Sequence, residues 1–386
     1  IDRRSARLIK DKEALAKELE IMLAREEDPE DCLSLIRRFK NDEVLRIGLY
    51  DLSDKITWPQ VQAQLTDLAE TVMNRSLRLA HRVLFKADIL PESLAVMGLG
   101  KLGGQELSYS SDLDLLFISA SETEQPQDMV KAIKLAQRLI GYLSMPLDVG
   151  PGYQIDSRLR PSGSQGPLVV TPSSFARYHE TSQLWERQAL LKIRHILGPE
   201  HIGAQIKNLA AHAVYHRSLP SDAKEQIHQV RQRMTKERGR IKPGFISLKF
   251  SPGGLVDAEF LIQYLQMVYR RRHEDQESRG PDQSVCTVQA IKLLIEEKQC
   301  PIELETVTQA YELLSRVAGR LSLIFNRSGD KAAYSREELA AAGLGKDGLN
   351  IVEAVKSSMA TIKNIYYQVF DQEAHDGTGD ETHKIQ

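Results

Sequence analysis

The stretch LSYSSDLDLLF, Leu107 to Phe117, constrains this chain more than any other. Its leucines and phenylalanine predict a β-strand, yet strand interiors are poor in aspartate, and this one holds Asp112 and Asp114. Side chains alternate faces along a strand, so both carboxylates share one face while Leu113 and Leu115 take the other. The strand must therefore be packed on its leucine side and open or ligated on its aspartate side. Residues two apart lie about 7 Å from each other at roughly 3.3 Å per residue, close enough for both carboxylates to converge on a cation. Unpaired, they would repel and one would keep its proton. Oxygen ligands without His or Cys suit magnesium or manganese, which leave positions for phosphate oxygens.

The neighbouring segments extend this reading. Upstream, GLGKLGGQE brings glycines into a predicted turn, where bare backbone can approach a phosphate. It is not a Walker loop, because no Lys-Ser or Lys-Thr follows at the required spacing. Nor is it a dinucleotide fingerprint, since an aspartate-bearing strand follows where a long helix should open. Downstream, YQIDSRLRPSGSQGP supplies a third carboxylate, Asp156, and alternation places Arg158 and Arg160 on its face. Guanidiniums beside carboxylates suit a polyphosphate held next to a metal. Blander readings exist for each piece: a lone DxD in a solvated turn, a tight glycine turn, a structural Asp156–Arg158 ion pair. Taken together they point to metal-dependent phosphoryl or nucleotidyl transfer.

Around this block the chain reads as helical. Residues 3–26 and 57–87, with DCLSLIRRFKNDEVLRIGLYDLSD between them, repeat apolar residues at helical spacing. Residues 1–90 form an N-terminal helical segment and 91–200 a small α/β or α+β unit. Helices return from SSFARYHETSQLWERQALL onward, giving a C-terminal helical bundle over 201–372, with loops at SPGG and SRGPDQS. The tail, 373–386, has too few apolar residues to fold. At 386 residues, two or three packed units are expected.

Lysine plus arginine (51) nearly balances aspartate plus glutamate (53), so no basic field favours nucleic acid. No apolar run approaches the ~20 residues of a membrane span, no secretory signal is evident, and Cys32, Cys286 and Cys300 are too scattered for a disulfide framework or zinc knuckle. A cytoplasmic protein without membrane contact is expected. His212 and His216 read as surface residues, and RQRMTKERGRIK and YRRRH as solvated helix ends. Trp185, Glu186 and Arg187 are expected to pack a helix on the sheet, with Arg187 or Lys192 as further phosphate contacts.

From RRFKNDEVLRIGLYDL through VMGLGKLGGQELSYSSDLDLLF, IDSRLRPSGSQGPLVVTPSSFARY, WERQALLKIR and SLKFSPGGLVDAEFLIQY, the chain resembles the glutamine synthetase adenylyltransferases, which add AMP to and remove it from glutamine synthetase. The resemblance implies a polymerase-β-like nucleotidyltransferase core within an α+β fold and a bundle behind it, in one of two homologous halves. It implies that Asp112, Asp114 and Asp156 hold metal, that Gly103, Gly104 and Ser111 line the phosphate turn, and that Arg158 and Arg160 face the nucleotide. Seven residues separate Gly104 from Asp112, fewer than the superfamily turn usually has, and counting from Gly100 restores a longer gap. Lys249, with Asp257 and Glu259 in GGLVDAEF, matches a second motif. RLRPSG, with Ser162 where the removing half tends to have Phe, and GGLVDAEF favour the AMP-adding half. The implied reaction takes AMP from ATP to a tyrosine hydroxyl of glutamine synthetase; the alternative is removal of AMP by phosphorolysis. A PII-type signalling protein and glutamine are the implied regulators.

Overall fold

Local signals start the first helices of the computed structural model, which describes residues 8–120, 126–238, 244–269, 286–296, 304–326, 334–342 and 351–371. Helix α1 (Lys12–Leu23) is capped by Asp11, which accepts from Ala14 N at 2.8 Å. Helix α2 (Pro29–Leu52) is capped by Asp28 and begins on proline, whose missing N–H costs nothing there. Helix α3 (Trp58–Phe85) ends at Lys86 in the left-handed region, φ 61°. Part of the expected first helix, residues 3–7, lies outside the described residues.

The α+β core follows. Strand β1 (Leu94–Gly98) leads into the short helix α4 (Gly100–Gly103), then β2 (Leu113–Ser119), α5 (Pro126–Ser144), β3 (Ile155–Asp156), β4 (Val169–Val170), α6 (Pro172–His179), α7 (Leu184–Ala189), β5 (Arg194–Leu197) and α8 (Glu200–Ala211). The sheet runs β3-β2-β1-β5, with β4 also pairing β2. Strand β1 lies antiparallel to β2 and β5, whereas β3 and β4 run parallel to β2. The sequence reading missed β5, because KIRHIL is short, carries three polar residues and sits among helical segments. The fold is mixed α+β, as the sequence predicts.

Strand alternation divides the molecule into two hydrophobic cores. Leu94 and Val96 of β1 and Leu113, Leu115 and Phe117 of β2 pack with α1, α2, α3 and α5. Ala95, Met97, Leu116 and Ile118 face the other way, into a second core built by α6, α8 and the helices that complete the chain. These are α9 (Ala223–Arg238), α10 (Leu255–Tyr269), α11 (Thr287–Glu296), α12 (Glu305–Phe325), α13 (Arg336–Ala341) and α14 (Ile351–Phe370). The sheet is thus a shared wall.

Polar bonds tie α12 back to the first helices. Trp58 Nε1 donates to Ser315 Oγ at 3.0 Å. Arg320 and Asp51, both fully buried, form an ion pair at 2.9 Å. The SRGPDQS loop and the 373–386 tail lie outside the described residues.

Candidate active site

Asp114 lies on the face of β2 that looks toward the C-terminal helices, opposite Leu113 and Leu115, while Asp112 stands one residue before the strand and reaches the same cleft from its entry. Parallel pairing sets Asp114 directly beside Asp156 of β3. All three aspartates line one cleft of about 290 Å³, together with Lys101 and Lys249. Glu259 of α10 and Ser315 of α12 form its far wall, so core and bundle both build the site.

Charge crowding shows in the proton affinities. Burial, and then the neighbouring charges of Asp112 and Asp156, push the Asp114 carboxyl up to about 7. Burial also lifts Asp156, but Arg158 outweighs it and holds that carboxyl below its ordinary value. Arg158 donates its backbone N–H to Asp156 Oδ1 at 2.8 Å and its Nε at 3.0 Å, and pairs with Oδ2 through Nη2 at 2.5 Å. Among the described residues, no three His, Cys, Asp or Glu side chains form a group that could hold a metal. Asp156 is turned to Arg158, and closing the triad requires that clasp to open. The donors that remain, Asp112 and Asp114, are hard oxygens whose mutual repulsion a divalent cation would relieve, so the residues fit magnesium or manganese.

The glycine block divides its labour. Gly100 has φ +51°, and a Cβ there would stand 2.1 Å from Asp114 Oδ2; only glycine leaves the carboxylate its place. Gly103 faces elsewhere: its Cβ would meet Lys192 O at 1.8 Å, and its own carbonyl accepts from Arg194 Nε at 3.0 Å. Gly104 sits against Glu106 and Lys192. Gly103 and Gly104 therefore fit α4 to the segment before β5, and Gly100 is the glycine at the cleft. Ser111 lines the cleft and accepts from Ser108 N at 2.9 Å, which fixes the turn before Asp112.

Arg160 departs from the expected strand face. Strand β3 ends at Asp156, so alternation does not carry past it. Arg160 folds back, donating to Ser157 O at 2.7 Å and Gly166 O at 3.2 Å, and braces the loop. The second motif splits likewise. Glu259 lines the cleft and accepts from the Tyr311 hydroxyl at 3.2 Å. Asp257 is buried away from it, pairing with Arg231 Nε at 2.6 Å and accepting from Gly253 N.

Several cleft residues escaped the sequence reading. Lys101 sits inside the glycine block, and its burial lowers the ammonium pKa. Arg238, within a basic run assigned to solvent and last in α9, lines the cleft. Lys192, by contrast, was expected as a phosphate contact; it lines the cleft but is buried in an ion pair with Glu106, which also accepts from Thr287 N at 2.9 Å, so it couples core to bundle. The signal for Lys101 and Arg238 was only the excess of basic residues around the motif.

The remaining candidates resolve structurally. Arg187 donates to Arg217 O at 2.8 Å and Val214 O at 3.2 Å and is a brace, not a phosphate contact. Trp185 does not pack on the sheet; it is 44% exposed. His212 and His216 stack with centroids 5.0 Å apart on a π-type turn.

A glycine turn feeding a strand of paired carboxylates, with a third on the parallel neighbour, defines a nucleotidyltransferase-type core within an α+β fold. The family described as Glutamate-ammonia ligase adenylyltransferase matches residues 1–209, and the chain belongs to that family. The family described as GlnD PII-uridylyltransferase matches residues 221–370. Similar proteins named bifunctional glutamine synthetase adenylyltransferase/adenylyl-removing enzyme occur in Thioalkalivibrio sulfidiphilus (32% identical, 71% of this chain, 30% of the relative). In Shewanella loihica the figures are 32%, 77% and 33%, and in Hahella chejuensis 33%, 66% and 29%. The chain thus spans about a third of the length of the curated relatives it matches.

Proposed function

We propose that this chain transfers AMP from ATP to a tyrosine hydroxyl of glutamine synthetase and releases pyrophosphate. The observation that carries this is the register of Asp114 beside Asp156, with Asp112 on the same cleft and cations around it. Asp112 and Asp114 are the residues that would hold magnesium or manganese, with Asp156 joining once Arg158 releases it; a cation bound there neutralises phosphate charge and favours the ionised acceptor.

The rest falls to the chain itself. Lys101, Lys249 and the freed Arg158 present positive charge to the triphosphate. Asp156 accepts the proton of the phenol, which near pKa 10 is a poor nucleophile while protonated. The phenolic oxygen bonds to the α-phosphorus as the bond to pyrophosphate breaks.

The rival is AMP removal by phosphate, which the same carboxylates would serve; Ser162 and GGLVDAEF favour addition. Supplying ATP with unmodified glutamine synthetase, and separately phosphate with the adenylylated form, discriminates the two by mass on the tyrosine. Asp112→Asn and Asp114→Asn are each expected to keep the fold and abolish transfer, and a tenth of wild-type activity in either would refute the assignment. The likeness of residues 221–370 to a PII-uridylyltransferase supports a PII-type protein as partner of the helical part, with glutamine as the accompanying effector.

A further inference from the structure

The sequence singled out Trp185, and the site does not use it. Helix α7 buries Leu184, Arg187 and Gln188 but leaves the indole 44% exposed. A single exposed ring is ordinary in itself, so its meaning depends on what surrounds it.

Trp185 also stands where cavities meet. Arg158 lines the catalytic cleft and, with Gln183 and Trp185, a second cavity of about 360 Å³. Gln183 and Trp185 then line a third, of about 430 Å³, walled by Gln226, Gln229 and Arg233 of α9. The three adjoin through these shared residues, a segmented groove from the carboxylates past α7 to α9.

We infer that this groove receives the polypeptide segment carrying the acceptor hydroxyl, with Trp185 as its aromatic anchor. The inference rests on the proposed transfer to a protein tyrosine. A groove open at the reacting carboxylates admits a chain that extends beyond the modified residue, which a small acceptor does not need. Its walls carry side-chain amides able both to donate to and accept from an extended backbone. Arg233 and Glu237 put opposite charges on the same wall, which suits a peptide and not the uniform negative charge of a polynucleotide. Exposed tryptophans are frequent energetic anchors of protein contacts.

Two variants test this from opposite walls. Trp185→Ala removes the anchor, and Gln229→Trp, at an exposed position of α9, fills the groove without touching a core. With ATP saturating, both are expected to raise the KM for glutamine synthetase at least about fivefold, while kcat and the KM for ATP stay within about twofold. A KM for the protein within twofold of wild type in either variant overturns the inference. Direct binding of glutamine synthetase to the chain, without ATP, separates this from the reaction itself. Binding that weakens in both variants although wild type transfers no AMP sinks the transfer reading alone. Binding equal to wild type in either variant sinks the groove. Displacement of glutamine synthetase by a single-stranded oligonucleotide, dependent on Trp185, also overturns it.

Discussion

Asp114 sits beside two other carboxylates and is half-buried, and its proton affinity records both facts. Its carboxyl, at about 7 in the fold against an ordinary 3.9 or so, binds a proton more tightly folded than unfolded. Its unfavourable contribution is therefore absent below about pH 4, grows as pH rises toward 7, and is complete above it. At pH 8 and without divalent cations, Asp114→Asn should stabilise the protein by on the order of 2 kcal/mol, and at pH 4 by almost nothing. Urea denaturation at the two pH values measures this. On the proposed function, the same shift predicts that added magnesium near pH 6.5 would release a proton, visible by calorimetry in buffers of different ionisation enthalpy. Stability and chemistry are opposed at this residue, as expected where a strand holds charges for a ligand. The sequence makes this pair legible because alternation with leucines leaves it one face. Asp156 is legible as a carboxylate, but its clasp by Arg158 is a contact that no spacing states.

At the scale of elements, Asp51 near the end of α2 joins three parts of the chain. It pairs with Arg320 of α12 at 2.9 Å and accepts from the Tyr109 hydroxyl at 2.9 Å. Tyr109 lies in the turn that delivers Asp112 to the cleft, and burial, with Asp51 beside it, raises its phenol pKa. A buried ion pair costs most when one partner is removed alone. Arg320→Met should destabilise by about 3 kcal/mol, at the lower end of the usual range because Tyr109 and Arg316 remain beside Asp51. Adding Asp51→Asn should restore most of that loss, with urea midpoints of the single and double variants as the measurement. The helices carrying these residues were readable from periodicity, whereas the partnership spans 269 positions and leaves no local trace. Strand β5 shows the opposite failure: a short element defined by its neighbour β1 and not by its own pattern.

For the molecule as a whole, the sheet belongs to two cores at once. Residues 1–209 match one family description and 221–370 another, yet Ala95, Met97, Leu116 and Ile118 share one core with α8 and with the later helices. A fragment ending near residue 218 would keep α8 on the sheet but expose the part of that core which α9–α14 complete. Such a fragment is expected to bind a hydrophobic dye and to lose the cooperative thermal transition of the full chain, both read directly by fluorescence and calorimetry. The broad order of helices, small sheet and helices was legible because hydrophobic periodicity changes from helical to strand and back. The cleft between core and bundle was not, since Lys101, Glu259 and Arg238 meet the aspartates only through packing.

The alternation in β2 has a last consequence, for how this segment can change over evolutionary time. Leu113, Leu115 and Phe117 fill one core while Asp114 faces the other side, and the strand is central, held by β1 on one flank and by β3 and β4 on the other. Loss or gain of one residue within it would turn charges into the first core and leucines into the cleft. Lineages carrying this strand can swap its residues one for another, but cannot shorten or lengthen it by an odd count.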